Sequence, residues 1–191
     1  MTVIGVVGRL QVQRSRLKPG PATTRVYDPA PLCEVEALEV GPRGCRGLID
    51  GEWVLDVHHA DHPDSRNVQL VNGLSLLPRS HYARMADRYG EHLVVGVAGE
   101  SVLLDTDGDL TVDDLAGDLV LETADGAVEL GDAMVAAPCV EFSRFALGIV
   151  PGPVGDDVKE ALVVLDDGTR GFYVTPRTTA VVRVGDRLVR R

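Results

Sequence analysis

Short runs of Val and Leu recur along the chain. Between several of them stand Asp107-Gly108, Asp125-Gly126, Gly131-Asp132, Asp167-Gly168 and Gly185-Asp186. Asp and Gly tolerate the left-handed backbone of tight hairpins, so such pairs between apolar runs mark β-turns. The pattern predicts strands near residues 3–13, 34–40, 52–58, 67–71, 93–97, 118–122, 127–130, 133–136, 170–174 and 180–189, with 119–130 reading most clearly as a hairpin. Three segments break the β pattern. Residues 76–89 are helix-like: Leu76, Leu77, Tyr82 and Met85 can share a face, and Pro78 falls in the first turn, where a missing N–H costs little. Val140–Leu147 is a second helix, closed by Gly148 and followed by Pro151. Residues 157–165 are a third, capped by Asp156 or Asp157 and ended by Asp167-Gly168. Residues 14–24, with Lys18-Pro19-Gly20-Pro21, and residues 148–155 read as loops.

Many short strands at this spacing predict a mainly β fold, a distorted closed barrel with a few short α-helices, because closure removes the exposed edges of an open sheet. The 191 residues suffice for one domain with a full core, and no long Ser- or Pro-rich linker divides them. Aromatics are only 4%, so the core is built of Val, Leu and Ala. The formal net charge of -10 argues against nucleic acid or an anionic membrane surface as the main partner, since both need a dense positive field. The apolar N-terminus, Met1-Thr2-Val3-Ile4-Gly5-Val6-Val7, is short and without a basic leader, so it reads as a first strand and the expected compartment is the cytoplasm.

The three cysteines, Cys33, Cys45 and Cys139, form no CxxC pair and fit neither a disulfide framework nor a zinc knuckle. Cys139 stands at the predicted start of a helix, directly after a predicted strand. The first turn of a helix presents unpaired N–H groups and a partial positive charge, which can hold a thiolate. Such a thiolate can bind a soft metal or carry sulfur. The other reading is a small buried hydrophobe. Cys33 reads as core, and Cys45, in a Gly-rich turn, as an exposed position.

Four blocks in this order resemble the MOSC family, named after the C-terminal part of molybdenum-cofactor sulfurases. They are Gly44-Cys45-Arg46-Gly47-Leu48; Asp64-Ser65-Arg66-Asn67-Val68-Gln69-Leu70-Val71; Tyr89-Gly90-Glu91-His92-Leu93; and Pro138-Cys139 followed by Arg170-Gly171-Phe172-Tyr173 and Val184-Gly185-Asp186. The resemblance spans roughly residues 35–191. It implies a β-barrel and a molybdenum cofactor (molybdopterin) ligated through Cys139, or sulfur carried on Cys139. It implies that Asp64, Ser65, Arg66 and Gly90 surround the pterin and its phosphate. The family activity would be reduction of N-hydroxylated compounds, with electrons from a partner protein; molybdenum-ion and pyridoxal phosphate binding travel with the same family. The sequence departs from the pattern at His92, where the family has Asn, and at Asp50-Gly51-Glu52, where a Gly-Asp-x-His loop should begin. These departures leave open a barrel that binds a small molecule without the cofactor.

The remaining candidates each have a plain structural alternative. Glu91 is a general acid or base if it lies beside the pocket, or an exposed turn residue. His58, His59 and His62 are a metal cluster, a proton shuttle near the pocket, or a polar loop at the barrel mouth. Arg66 is the first choice to clamp a phosphate; Arg46, Arg144 and Arg177 read rather as solubilising side chains. Asp105-Thr106-Asp107-Gly108-Asp109 lacks the spacing of a calcium loop and reads as an acidic turn.

Overall fold

The longest strand, Thr2–Gln13 (β1), serves three partners in turn. Its start pairs with Arg187–Arg190 (β13), its middle with Val102–Asp105 (β7) and its end with Leu32–Glu34 (β2), all antiparallel. The register slips between Val3 and Gly5 and between Val7 and Arg9. Such bulges add local twist and bend, and they let one strand curl a sheet around itself. The computed structural model describes residues 1–191 apart from Arg66 and Val68.

The other strands are Leu38–Gly41 (β3), Gly44–Ile49 (β4), Glu52–Leu55 (β5), Leu74–Pro78 (β6), Leu119–Thr123 (β8), Gly126–Glu129 (β9), Met134–Val135 (β10), Phe172–Val174 (β11) and Ala180–Val182 (β12). Three helices, Arg79–Tyr89 (α1), Val140–Leu147 (α2) and Asp156–Leu165 (α3), complete the fold. The main sheet runs β10-β11-β6-β7-β1-β13-β8-β9, with β2 beside β1, and a smaller sheet runs β12-β3-β4-β5. β6 and β7 are parallel, and α1 supplies the crossover that a parallel pair requires. No helix among the described residues is long and apolar enough to cross a membrane.

The barrel is not fully closed, which corrects the expectation of a closed one. The end strands β9 and β10 are joined by the chain itself through Leu130–Ala133 and not by a ladder. One bridge, Leu130 opposite Pro176, secures this seam. It is flanked by Arg177 N donating to Glu129 O (2.7 Å) and Gly131 N donating to Thr175 O (2.8 Å). Pro176 therefore occupies a position whose own N–H is not needed, and a proline there limits further pairing.

Two apolar cores share the main sheet. Val7, Leu10, Leu76, Val102, Leu104, Phe172 and Leu188 fill the inside of the curl. Leu77 and Leu103 point the other way, against Tyr82, Met85, Phe142, Ala146 and Leu165 of the helical layer. β6 is therefore buried on both faces, and its sequence is apolar at every position but the buried Ser75. That is why residues 76–89 read as helix from Leu76: the strand extends through Pro78 and the helix begins only at Arg79. β7 escaped the pattern for the same reason. β4, read as a Gly-rich turn, is a strand inside the small sheet.

Residues 93–97 form turns and not a strand, with Leu93 and Val97 inserted into the helical core. None of the described residues within 67–71 is in a strand. The predicted strand 34–40 divides into β2 and β3, and 180–189 divides into β12 and β13 around Gly185. The hairpin β8–β9, β10, β11, α2 and α3 stand close to where the sequence pattern puts them.

Candidate functional site

A cavity of ≈ 220 Å³ opens where the end of β1, the segment after it, β11 and the entry to α2 converge. Cys139 lines it. The residue is the N-cap of α2, and Phe142 N donates to its Sγ at 3.5 Å. The αL glycine Gly148 closes the other end of the helix. Tyr27 packs edge-on against Phe142 with centroids 5.0 Å apart, and the Arg170 guanidinium lies 4.6 Å from the same ring. The cysteine is thus set beside a rigid aromatic and cationic wall.

The cavity is basic although the chain is acidic. Arg16, Lys18, Arg25 and Arg170 line it, against Asp64 and Glu100. Arg16 pairs with Asp64 at 3.2 Å and Arg25 with Glu141, in the first turn of α2, at 3.8 Å. Arg170 donates to Ala98 O at 2.9 Å, and its Nε has no partner among the described residues. Gly171 fixes this position: its φ is +97°, and a Cβ there would lie 2.5 Å from Leu76 O.

Two acidic side chains are deeply buried nearby. Asp56, 2% exposed, accepts from Gln13 N at 2.7 Å and from His58 N at 2.8 Å, and contacts His58 Nδ1 at 2.9 Å. This carboxylate holds Nδ1 protonated and leaves Nε2 as the acceptor of the His58 ring, which lines the cavity. Gly44, at φ +114°, packs against the His58-His59 loop so closely that a Cβ there would lie 2.7 Å from the His59 Cα, so the β3–β4 turn seats that loop only as glycine. Glu100, 4% exposed, accepts from the Tyr82 hydroxyl at 2.7 Å through Oε2, while its buried Oε1 has no partner among the described residues. Burial pushes its carboxyl up to about 7, against the Tyr82 hydrogen bond and the charges of Arg9 and Arg170.

Cys139 and Asp64, read from the sequence as neighbours in one pocket, line the same cavity. Ser65 does not line it; its Oγ accepts from Asn67 N at 3.3 Å within the loop. Gly90 and Glu91 stand elsewhere, at the C-terminal end of α1, with Gly90 at φ +117° and Glu91 exposed. Besides Asp64, the carboxyl group that lines the cavity is Glu100, which the sequence did not single out. Arg66 lies outside the described residues.

Cys45 is wholly buried and not exposed, because β4 lies inside the small sheet; burial pushes its thiol well above the ordinary value. Cys33 is partly buried against the core. His59 and His62 serve their own loop: His59 Nδ1 accepts from Asp61 N, His62 Nδ1 accepts from Asp64 N, and His62 Nε2 donates to Arg14 O. Among the described residues no group of three or more His, Cys, Asp or Glu could hold a metal ion.

Arg46 pairs with Glu39 and Arg144 with Gly152 O, both outside the cavity. The cations that line it come from residues 14–24, read as a plain loop, and from Arg25 and Arg170. Arg14, Arg16 and Lys18, close together in so acidic a chain, were the available signal.

No protein-family model matches the chain, and no curated protein matches its sequence. Solved structures do share its fold. YuaD from Bacillus subtilis superposes with a TM-score of 0.56 at 12% identity, covering 98% of this chain and 94% of that one. YiiM from Escherichia coli superposes at 0.52 and 16% identity, covering 83% of this chain and 65% of that one. A structure described as a hypothetical protein gives 0.56 at 13% identity over 97% and 68%. These likenesses concern the fold alone.

Proposed function

We propose that this chain is a MOSC-like protein that binds the molybdenum cofactor in the cavity described, with Cys139 as the thiolate ligand. The observation that carries the reading is the company Cys139 keeps: a thiol at a helix N-cap in a cavity lined by Arg16, Lys18, Arg25 and Arg170, in a chain of net charge -10. The lining residues fit such a group. A thiolate suits a soft, redox-active metal. The cations suit a phosphate, which guanidinium matches two oxygens at a time.

When bound, the cofactor supplies two-electron removal of oxygen from an N–O bond. Two electrons and two protons convert N–OH to N–H and water. The protein's own residues bind and orient: the cations hold the phosphate, the Tyr27–Phe142 wall excludes water from one side, and His58 Nε2 offers a proton acceptor at the cavity surface. The electrons come from a partner protein.

The test is metal and pterin analysis of wild-type and Cys139→Ser protein from a host that makes the cofactor. Molybdenum and pterin stoichiometric with wild type and absent from the variant support the reading; equal molybdenum in both overturns it. Intact mass of the same samples separates a sulfur carrier, which would show one added sulfur atom on Cys139 and no molybdenum.

A further inference from the structure

Between β1 and β2 the chain leaves the sheet for residues 14–31 and forms no helix or strand there. Loops of this length without internal structure are uncommon in a domain and mostly serve a site. The ends of this one are tied. Arg14 N donates to Pro31 O at 3.0 Å, and Asp28 N donates to Leu17 O at 2.8 Å. Leu17 and Tyr27, 5% and 8% exposed, plug into the helical core, and the Tyr27 hydroxyl donates to Val97 O at 2.7 Å.

Between these two plugs the loop is held differently. Residues 19–24 are exposed, and among the described residues no backbone hydrogen bond joins 18–26 to the rest of the chain. The ionic link of this stretch is the Arg25–Glu141 pair, whose 3.8 Å separation is too long for a hydrogen bond. Glu141 does not depend on Arg25: it sits in the first turn of α2, where the helix end already favours a negative charge. Arg25 is therefore the partner able to leave, and it lines the cavity together with Lys18. Arg16, on the other side of the Leu17 plug, pairs with Asp64 and stays with the base of the loop. A segment with firm anchors and a weak latch opens locally while its anchors remain folded.

We propose that residues 18–26 are a strap, hinged at Leu17 and Tyr27, that opens to admit a ligand and closes when Arg25 exchanges Glu141 for the anionic group of that ligand. The opening rests on the loop geometry. The closing on an anion rests on the reading of the cations given under Proposed function.

The test is limited elastase digestion of the full chain, since elastase cuts after small apolar residues. Ala22 and Val26 report on the strap, and Val184, 59% exposed in the turn at Gly185, is the internal control. Calorimetry with inorganic phosphate measures binding separately. With phosphate at about ten times its Kd, cutting in the strap should slow about tenfold, as binding to the closed form alone requires. Glu141→Gln removes the latch and keeps its shape; it should speed strap cutting about threefold without phosphate, in line with a weak ion pair. Arg25→Gln should speed it likewise and lose the protection by phosphate. Cutting after Val184 should stay constant throughout. Strap cutting unchanged in Glu141→Gln, or phosphate that protects Arg25→Gln as well as wild type, overturns the proposal. Phosphate that binds wild type without slowing the strap also overturns it, and leaves the reading of the cations standing. Absence of phosphate binding overturns that reading and the closing of the strap together.

Discussion

The Tyr82 hydroxyl donates to Glu100 Oε2 at 2.7 Å while its own oxygen accepts from Ala98 N at 2.9 Å, so one phenol ties α1 to a buried carboxyl of the cavity. The arrangement has a stability consequence. The Glu100 carboxyl is raised from 4.5 to about 7 by burial. Below pH 4.5 it is protonated folded and unfolded and costs nothing. Between 4.5 and 7 the unfolded chain ionises and the folded one does not, so stability falls as pH rises, and above 7 the loss is constant. Glu100→Gln keeps the shape without the charge. It should match wild type near pH 4 and exceed it at pH 8 by about 3 kcal/mol, measured by urea unfolding at both pH values.

His81 works in the opposite direction. Its ring is wholly buried, with Nδ1 3.0 Å from Gly168 O and Nε2 accepting from Leu110 N at 3.1 Å, a neutral tautomer joining three segments. Burial lowers its proton affinity. Its contribution is complete above the unfolded value near 6.5 and is lost as pH falls from there toward the folded one. Hydrogen exchange at the Leu110 amide, corrected for intrinsic rate, should therefore show protection at pH 7.5 that declines toward pH 5. Protection independent of pH would contradict this tautomer.

The thiols should react in a definite order. Cys45, wholly buried and with its proton held by burial, should resist iodoacetamide in the native protein, while Cys139 and Cys33 react. Saturating phosphate should slow alkylation of Cys139, which shares its cavity with four cations, and leave Cys33 unchanged. Peptide mass spectrometry gives each site separately.

Gly44→Ala tests how the small sheet seats the His58-His59 loop. A Cβ at φ +114°, 2.7 Å from the His59 Cα, requires backbone movement. The variant should lose about 2–4 kcal/mol and show a displaced His58 imidazole resonance. Thermal unfolding and the histidine region of a proton NMR spectrum measure both.

Local chemistry was legible wherever one residue or one turn carried it. Gly148 ends α2, Asp125-Gly126 turns the β8–β9 hairpin, and Cys139 starts a helix after a strand, all from side-chain and backbone preferences that need no distant partner. The chain alone also put Cys139 and Asp64 in one site by resemblance. Elements buried on both faces were not legible: β6 and β7 show no alternation because Leu76 and Leu77 each meet a core on opposite sides of the sheet.

What the sequence by itself determined, then, is a β-rich chain with its turns, helix ends and one poised cysteine. Tertiary structure alone decided that the curl stops at Pro176 short of closure, that the basic residues after β1 turn toward Cys139, and that Glu100 and not Glu91 reaches the cavity. The physical reason is the same in each case. Burial, a missing N–H in a ladder and an unpartnered carboxylate oxygen are properties of segments far apart in the chain, and they come into being only when those segments meet.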